Sequence, residues 1–258
     1  MGKLLWEPSK ERRDQANITR FIDVVNKKHG LGIRSYADLH KWSVERIADF
    51  WSAMWDFVGM IASQKYTTVA KDLQTYPGAK WFPGAKLNFA ENLLRFRDNQ
   101  LAFVFHGEDK KVTKKTYADL YAEVAQLAQS LHRIGVSAED VVVGYMPNLI
   151  ETVVAMLAAT SVGATWASCG ADLGPVAVLD RFGQIKPKTL FTADGYFYKG
   201  KVLSSLENIQ QIAKGIKSLK KVVVVPYASN QPSIANIPKA VHFSEFLSTK
   251  ERPKIDFE

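Results

Sequence analysis

Between Glu139 and Gly174, apolar and polar positions are arranged in blocks that describe a strand, a helix and a second strand. Val141-Val142-Val143-Gly144-Tyr145-Met146 is a short run rich in β-branched residues and closed by Pro147, the pattern of a buried strand. Asn148, with Glu151 three residues on, has the form of a capping box, since each side chain can satisfy an amide left open by a first helical turn. Val153, Val154, Leu157 and Ala158 then share one face, and Gly163 stands where a helix ends. A second apolar run, Ala164-Thr165-Trp166-Ala167-Ser168, follows at once. Strand, helix, strand in this order implies a crossover and a parallel sheet. Ligands of such sheets sit beyond the carboxyl ends of strands, which directs attention to Met146-Pro147-Asn148 and to Ser168 through Gly174.

The same patterning extends in both directions. Ser9 is placed to cap one helix running to His29, with Ile18, Phe21, Ile22 and Val25 on one face and Gly30 as its stop. Ser35 with Asp38 opens a helical turn, and Ser43 is expected to start a helix carrying the stripe Ile47, Phe50, Trp51, Met54, Trp55 and Val58. So dense an aromatic stripe reads as core or packing surface. Thr67 to Pro83 is irregular, with turn chemistry at Tyr76-Pro77-Gly78 and Trp81-Phe82-Pro83-Gly84, and Asn88 with Glu91 opens a short helix. Leu101–Phe105 reads as a strand, Gly107–Lys110 as a turn, and Thr116 with Asp119 caps a long helix ending at Gly135. Gly174-Pro175 begins another helix, Thr189–Thr192 a third strand, Lys201–Ala213 a helix, and Val222–Val225 a fourth buried strand. From Ser229 onward periodicity is weak, apart from a turn at Ser244–Leu247. The expected fold is α/β, a mostly parallel sheet flanked by helices, with a helical N-terminal extension over 1–95, an α/β subdomain over 96–228 and an irregular connection over 229–258.

Composition adds boundaries to this picture. With 258 residues, 47% of them hydrophobic and 23% charged, the chain can bury a sizeable core. A single cysteine, Cys169, excludes an intramolecular disulfide and a multi-cysteine metal site. Charged residues from Glu7 to Asp14 occupy the place where a secretory signal needs an apolar core, and no apolar run approaches a membrane span. The expectation is a soluble protein of the cytoplasm without a membrane partner. The net charge of +8 is concentrated in Lys199, Lys201, Lys214, Lys217, Lys220 and Lys221, set against one acid, Glu207. That run is either a solvated face or a patch for a phosphorylated ligand. It lacks the interleaved arginines and aromatics of a nucleic-acid surface.

Familiar catalytic patterns are missing: no Walker loop, no G-x-S-x-G elbow, no H-E-x-x-H and no G-x-G-x-x-G occur. His29, His40, His106, His132 and His242 are scattered, and Cys169 past a strand end has no evident base, so it reads as a half-buried thiol.

The block Trp81-Phe82-Pro83-Gly84-Ala85-Lys86-Leu87-Asn88-Phe89-Ala90-Glu91-Asn92-Leu93-Leu94 resembles the N-terminal signature of the acetyl-CoA synthetase branch of adenylate-forming acyl-CoA ligases. Its Asn-Phe-Ala-Glu-Asn-Leu-Leu form is most like the acetoacetate-using members. Phe50–Phe57, Thr116–Leu120, Met156–Ala164, Leu179–Phe182, Lys186–Lys188 and Lys220–Tyr227 extend the resemblance over nearly the whole chain. It implies a two-step ligase using ATP with Mg²⁺, CoA and a carboxylate, acetoacetate before acetate or propionate. The family's Ser-Gly-Thr-Thr-Gly triphosphate loop and catalytic lysine have no counterpart here, so the chain reads as an N-terminal portion, inactive alone, with no catalytic residue assigned. A short non-catalytic CoA-binding or interaction module is the alternative. The resemblance further implies that Gly170, Ala171, Asp172, Tyr198, Lys199 and Lys201 contact the nucleotide end of CoA. In these positions the relatives carry a small residue for Asp172, and arginines for the tyrosine and lysines.

Overall fold

The computed structural model describes residues 3, 5–247 and 254–258, and it divides into two compact units, Met1–Leu87 and Asn88–Glu258. The sequence reading placed this division at 95/96. The Trp81–Leu94 block is therefore shared, its first half in one unit and its second half in the other.

The first unit contains α1 (Lys10–Asp14), α2 (Asn17–His29), α3 (Tyr36–Glu45), α4 (Ile47–Phe57) and a two-stranded antiparallel ribbon of β1 (Ala70–Lys71) and β2 (Lys80–Trp81). Phe21, Val25, Ile33, Leu39, Trp42 and Ala53 form its core, with Phe50 and Phe57 edge-on to Phe21. The expected single helix from Ser9 is two. Ser9 caps only α1, and Ala16 in extended conformation starts α2. The apolar stripe begins at Ile18 and α1 buries nothing, so packing gives α1 no reason to stay in line. Ser43 does not open a helix either. It lies inside α3, its hydroxyl donating to the His40 carbonyl, and Arg46 is the break before α4.

The second unit contains α5 (Phe89–Leu93), β3 (Leu101–His106), β4 (Val112–Thr116), α6 (Tyr117–Arg133), β5 (Val141–Tyr145), α7 (Ile150–Ser161), β6 (Thr165–Cys169) and α8 (Pro175–Ile185). Then come β7 (Thr189–Ala193), β8 (Gly195–Tyr198), β9 (Lys201–Ser204), α9 (Leu206–Gly215), β10 (Lys221–Val225), β11 (Ala240–His242) and α10 (Phe243–Phe246). β11, β10, β7, β5 and β6 form one parallel sheet in that order. The two-residue alternation of strands distributes its side chains between two cores. Val142, Phe191, Ala193, Val223 and Val225 join α5, α6, α7 and α10 on one face. Val143, Tyr145, Leu190, Val222 and Val224 join α8 and α9 on the other. Helices on both faces explain why the central strands read as predominantly apolar runs, with even Thr189 and Thr192 of β7 buried.

Four expectations change here. Asn148 caps nothing: Leu149 is the cap residue of α7, and the Pro147 carbonyl accepts from Leu149 N–H and Thr152 hydroxyl, so the chain turns one residue later. Lys201–Ser204 is strand rather than helix. Lys199 (φ 50) and Gly200 (φ 75) form the two-residue turn of a β8–β9 hairpin, and α9 begins only at Leu206. The weakly patterned tail contains a fifth parallel strand, β11, three partly exposed residues long and too short to show a period. Residues 248–253 of that tail lie outside the described residues. Finally, the lysine run is not one patch. Lys199 and Lys201 sit on the hairpin beyond the carboxyl end of β7, whereas Lys221 opens β10 at the opposite end of the sheet.

Candidate functional site

The strand order turns back between β5 and β7: the chain leaves β5 toward β6 on one side and leaves β7 toward β10 on the other. Beyond the carboxyl ends of these strands lies a cleft of about 1130 Å³. Its floor is Met146–Leu149 and Ser168–Asp172, and its walls are the two antiparallel hairpins, with Glu108 from the β3–β4 turn and Tyr196–Tyr198 from β8, together with Tyr227 after β10.

The loop from Gly170 to Leu173 is fixed from below. Tyr145, fully buried at the end of β5, places its hydroxyl 2.8 Å from the Ala171 carbonyl and 2.7 Å from the Leu173 carbonyl. Burial pushes this phenol up, so the group remains a proton donor. The Asp172 carboxylate folds back over Gly170, so that a Cβ there would require the Asp172 carboxylate to swing away. Cys169 below is half-buried. Burial raises its thiol, Arg181 opposes and Asp172 reinforces, and the thiolate needed for nucleophilic work is disfavoured.

A second anchor holds the other wall. Asp194, buried directly after β7, accepts through Oδ1 from the amides of Tyr227 (2.7 Å) and Ala228 (2.8 Å) and through Oδ2 from Ser229 (2.8 Å). Its own carbonyl accepts from Ser205, which ties the end of the hairpin to the same point. Tyr227, so positioned, is edge-on to Phe197 at 5.1 Å and to Phe105 at 6.2 Å. Burial raises the Tyr227 phenol, and the negative charges of Asp109 and Glu108 add to the effect.

Of the six residues singled out from the sequence, Gly170, Ala171, Asp172 and Tyr198 line this one cleft. Lys199 and Lys201 flank Tyr198 on the hairpin outside the lining, with the Lys199 ammonium 5.2 Å from the centre of the Tyr198 ring. Tyr145, Asp194 and Glu108 were missed. Tyr145 read as one more residue of its buried strand, and nothing in the sequence around Asp194 marks it; only its burial and its three amide partners disclose its role. Aromatic side chains in the lining and lysines on the adjoining hairpin suit a planar, phosphorylated ligand. Among the described residues no group of three or more His, Cys, Asp or Glu could hold a metal ion, and no helix is long and apolar enough to cross a membrane.

Comparison with known proteins agrees with this geometry. Over 266 residues the chain is 40% identical to acetoacetyl-CoA synthetase of Macaca fascicularis, matching 99% of this chain and 39% of that protein. It is 39% identical over 267 residues to acetoacetyl-CoA synthetase of Gallus gallus, matching 100% and 39%. The solved acetoacetyl-CoA synthetase from Streptomyces lividans superposes with a TM-score of 0.90 at 35% identity, covering 100% of this chain and 40% of that one. The chain thus spans 39% of the length of these curated relatives. Residues 36–93 match the acetyl-coenzyme A synthetase N-terminus, and residues 89–254 match the AMP-binding enzyme family. A parallel sheet with its cleft beyond the switch in strand order, a family match over most of the sequence and a closely superposing relative lead to one conclusion: the chain belongs to the AMP-binding enzyme family.

Proposed function

We propose that this chain forms the CoA-receiving part of an acetoacetate–CoA ligase of the cytoplasm. In that reaction a carboxylate oxygen attacks the α-phosphorus of ATP and pyrophosphate leaves. The CoA thiol then attacks the acyl carbon, loses its proton, and AMP departs with the bonding electrons. The observation that carries the reading is placement: Gly170-Ala171-Asp172 and Tyr198 line the same cleft at the carboxyl end of a parallel sheet. The similarity to acetoacetyl-CoA synthetases supports acetoacetate as the acid, before acetate or propionate.

In this reading Tyr198, the adjoining aromatic wall and the Gly170–Asp172 loop receive the adenosine of CoA, and Lys199 and Lys201 attract its phosphates as point charges. Asp172, unsuited to a phosphate, faces a ribose hydroxyl or an amine. ATP and its Mg²⁺ require groups that are not found in this sequence, and no Mg²⁺ ligand is assigned to it.

Isothermal titration of the 258-residue chain with CoA tests the proposal. Replacing Lys199 and Lys201 together by alanine is expected to weaken CoA binding about tenfold, the scale of one charge-assisted phosphate contact. The difference should shrink as salt rises, because exposed charges are screened. In a protein of the relatives' full length the same change should raise KM for CoA and leave acetoacetate-dependent pyrophosphate exchange unaltered. Unchanged CoA affinity would return the lysines to an ordinary solvated surface.

A further inference from the structure

The two hairpins that wall the cleft meet at their tips. The Glu108 carboxylate, from the β3–β4 turn, reaches the Gly200 amide in the β8–β9 turn, with Oε2 accepting at 3.4 Å. Sequence separates the partners by 92 residues, so this contact is made by the fold and not by either hairpin alone. In a two-residue turn the central amides have no ladder partner, so the Gly200 N–H is available to the Glu108 carboxylate, in a turn whose other residue is Lys199. Glu108 also lies close enough to Tyr227 to bias its phenol. Thus a carboxylate from one hairpin takes a turn amide of the other, and that turn also carries a lysine.

Carboxylate and phosphate oxygens use the same donors. Building on the CoA reading above, we propose that Glu108 is an internal competitor for the phosphate position at the hairpin tip. It bridges the mouth of the cleft when no nucleotide is present and must be displaced when a phosphate binds. Glu108 is then a determinant of nucleotide affinity without being a binding residue. Neighbouring Asp109 differs: its carboxylate is engaged within its own turn, accepting from Lys111 N–H at 3.1 Å and pairing with the Lys111 ammonium at 3.5 Å.

The test is titration calorimetry of the 258-residue chain with adenosine 3′,5′-bisphosphate as the probe. Four proteins are compared: the unaltered chain, Glu108→Ala, Asp109→Asn and the Lys199→Ala/Lys201→Ala double variant. Glu108→Ala should bind about two- to fivefold more tightly than the unaltered chain, the scale of one exposed charged contact. Asp109→Asn, which removes the same charge one residue away, should gain much less. Glu108 is exposed, so its replacement leaves the core intact. Equal gains in Glu108→Ala and Asp109→Asn would reduce the effect to the general field and overturn the competitor role. No gain in Glu108→Ala, with binding lost in the lysine variant, would overturn it while the CoA reading stands. Full binding by the lysine variant would remove the phosphate from this hairpin and overturn both.

Discussion

Asp194 offers the sharpest mutational test of how the cleft is built. Its carboxylate accepts three backbone amides, at 2.7, 2.8 and 2.8 Å, while only 3% of the residue is exposed. Hydrogen bonds to a charged group contribute about 1.5–3 kcal/mol each, and a buried donor left without a partner costs about 1–3 kcal/mol. In Asp194→Asn one oxygen remains, enough for Tyr227 and Ala228, but the new NH₂ faces the Ser229 amide, donor against donor. The expected loss is about 2–4 kcal/mol. Asp194→Ala leaves all three amides unmet and should cost more, of the order of 3–5 kcal/mol. Urea unfolding of the chain, followed by tryptophan fluorescence and by circular dichroism, measures both. The asparagine variant should lower the midpoint with an unchanged slope. Since Asp194 also places Tyr227 on the cleft wall, CoA affinity should fall in proportion to the disorder introduced there. An unfolding free energy for Asp194→Ala within about 0.5 kcal/mol of the unaltered chain would refute the role assigned to this carboxylate.

Tyr145→Phe preserves a buried ring but releases the carbonyls of Ala171 and Leu173; a stability loss of about 1–2 kcal/mol and weaker CoA binding are expected by urea unfolding and calorimetry, and unchanged binding would show that the loop holds itself. Gly144→Ala would bring a methyl to 2.7 Å from the Trp166 ring, and a destabilisation of about 1–3 kcal/mol should appear as a lowered urea midpoint. Burial disfavours the charged form of Asp140, yet Lys188 at 2.7 Å and the Ser137 amide at 2.8 Å outweigh it, and the carboxyl is held below its ordinary 3.8. A folded-state value below the unfolded one contributes stability above the unfolded value, and that stability is lost as pH falls through the folded value. Unfolding midpoints should therefore drop below about pH 4, with a shallower acid limb in Asp140→Asn, and identical limbs in the two proteins would refute the assignment.

Elements whose signals are local were legible in the sequence. The capping boxes at Ser35/Asp38 and Thr116/Asp119 form as expected, because each needs only residues three apart. The strands around Val142, Leu190 and Val223 were legible because burial on both faces leaves them mostly apolar and free of charge in their interiors, with Thr189 and Thr192 of β7 buried alongside. The misreadings have tertiary causes. The β8–β9 hairpin is held by a Lys199-Gly200 turn rather than the usual Asn-Gly, and its strands precede α9 without a break in composition. β11 exists through its pairing with β10 and has too few residues to announce itself. Asn88 illustrates the converse: a recognisable motif residue whose role appears only in the fold. Its side-chain amide donates to the Thr160 and Glu258 carbonyls at 2.8 and 2.7 Å while its oxygen caps α5 at Glu91. Within the cleft, the loop and tyrosine positions were readable, but the anchors beneath them were not, since Tyr145 and Asp194 act across 26 and 33 residues of chain.

Nucleotide binding in the cleft is tested most directly by a crystal structure of the chain soaked with adenosine 3′,5′-bisphosphate. The expected density places the adenine between the Gly170–Asp172 loop and Tyr198, with a phosphate oxygen within hydrogen-bonding distance of Lys199 or Lys201 and Glu108 turned away from Gly200. A nucleotide bound elsewhere on the chain, with the cleft between the hairpins empty at saturating concentration, would contradict the assignment of this site.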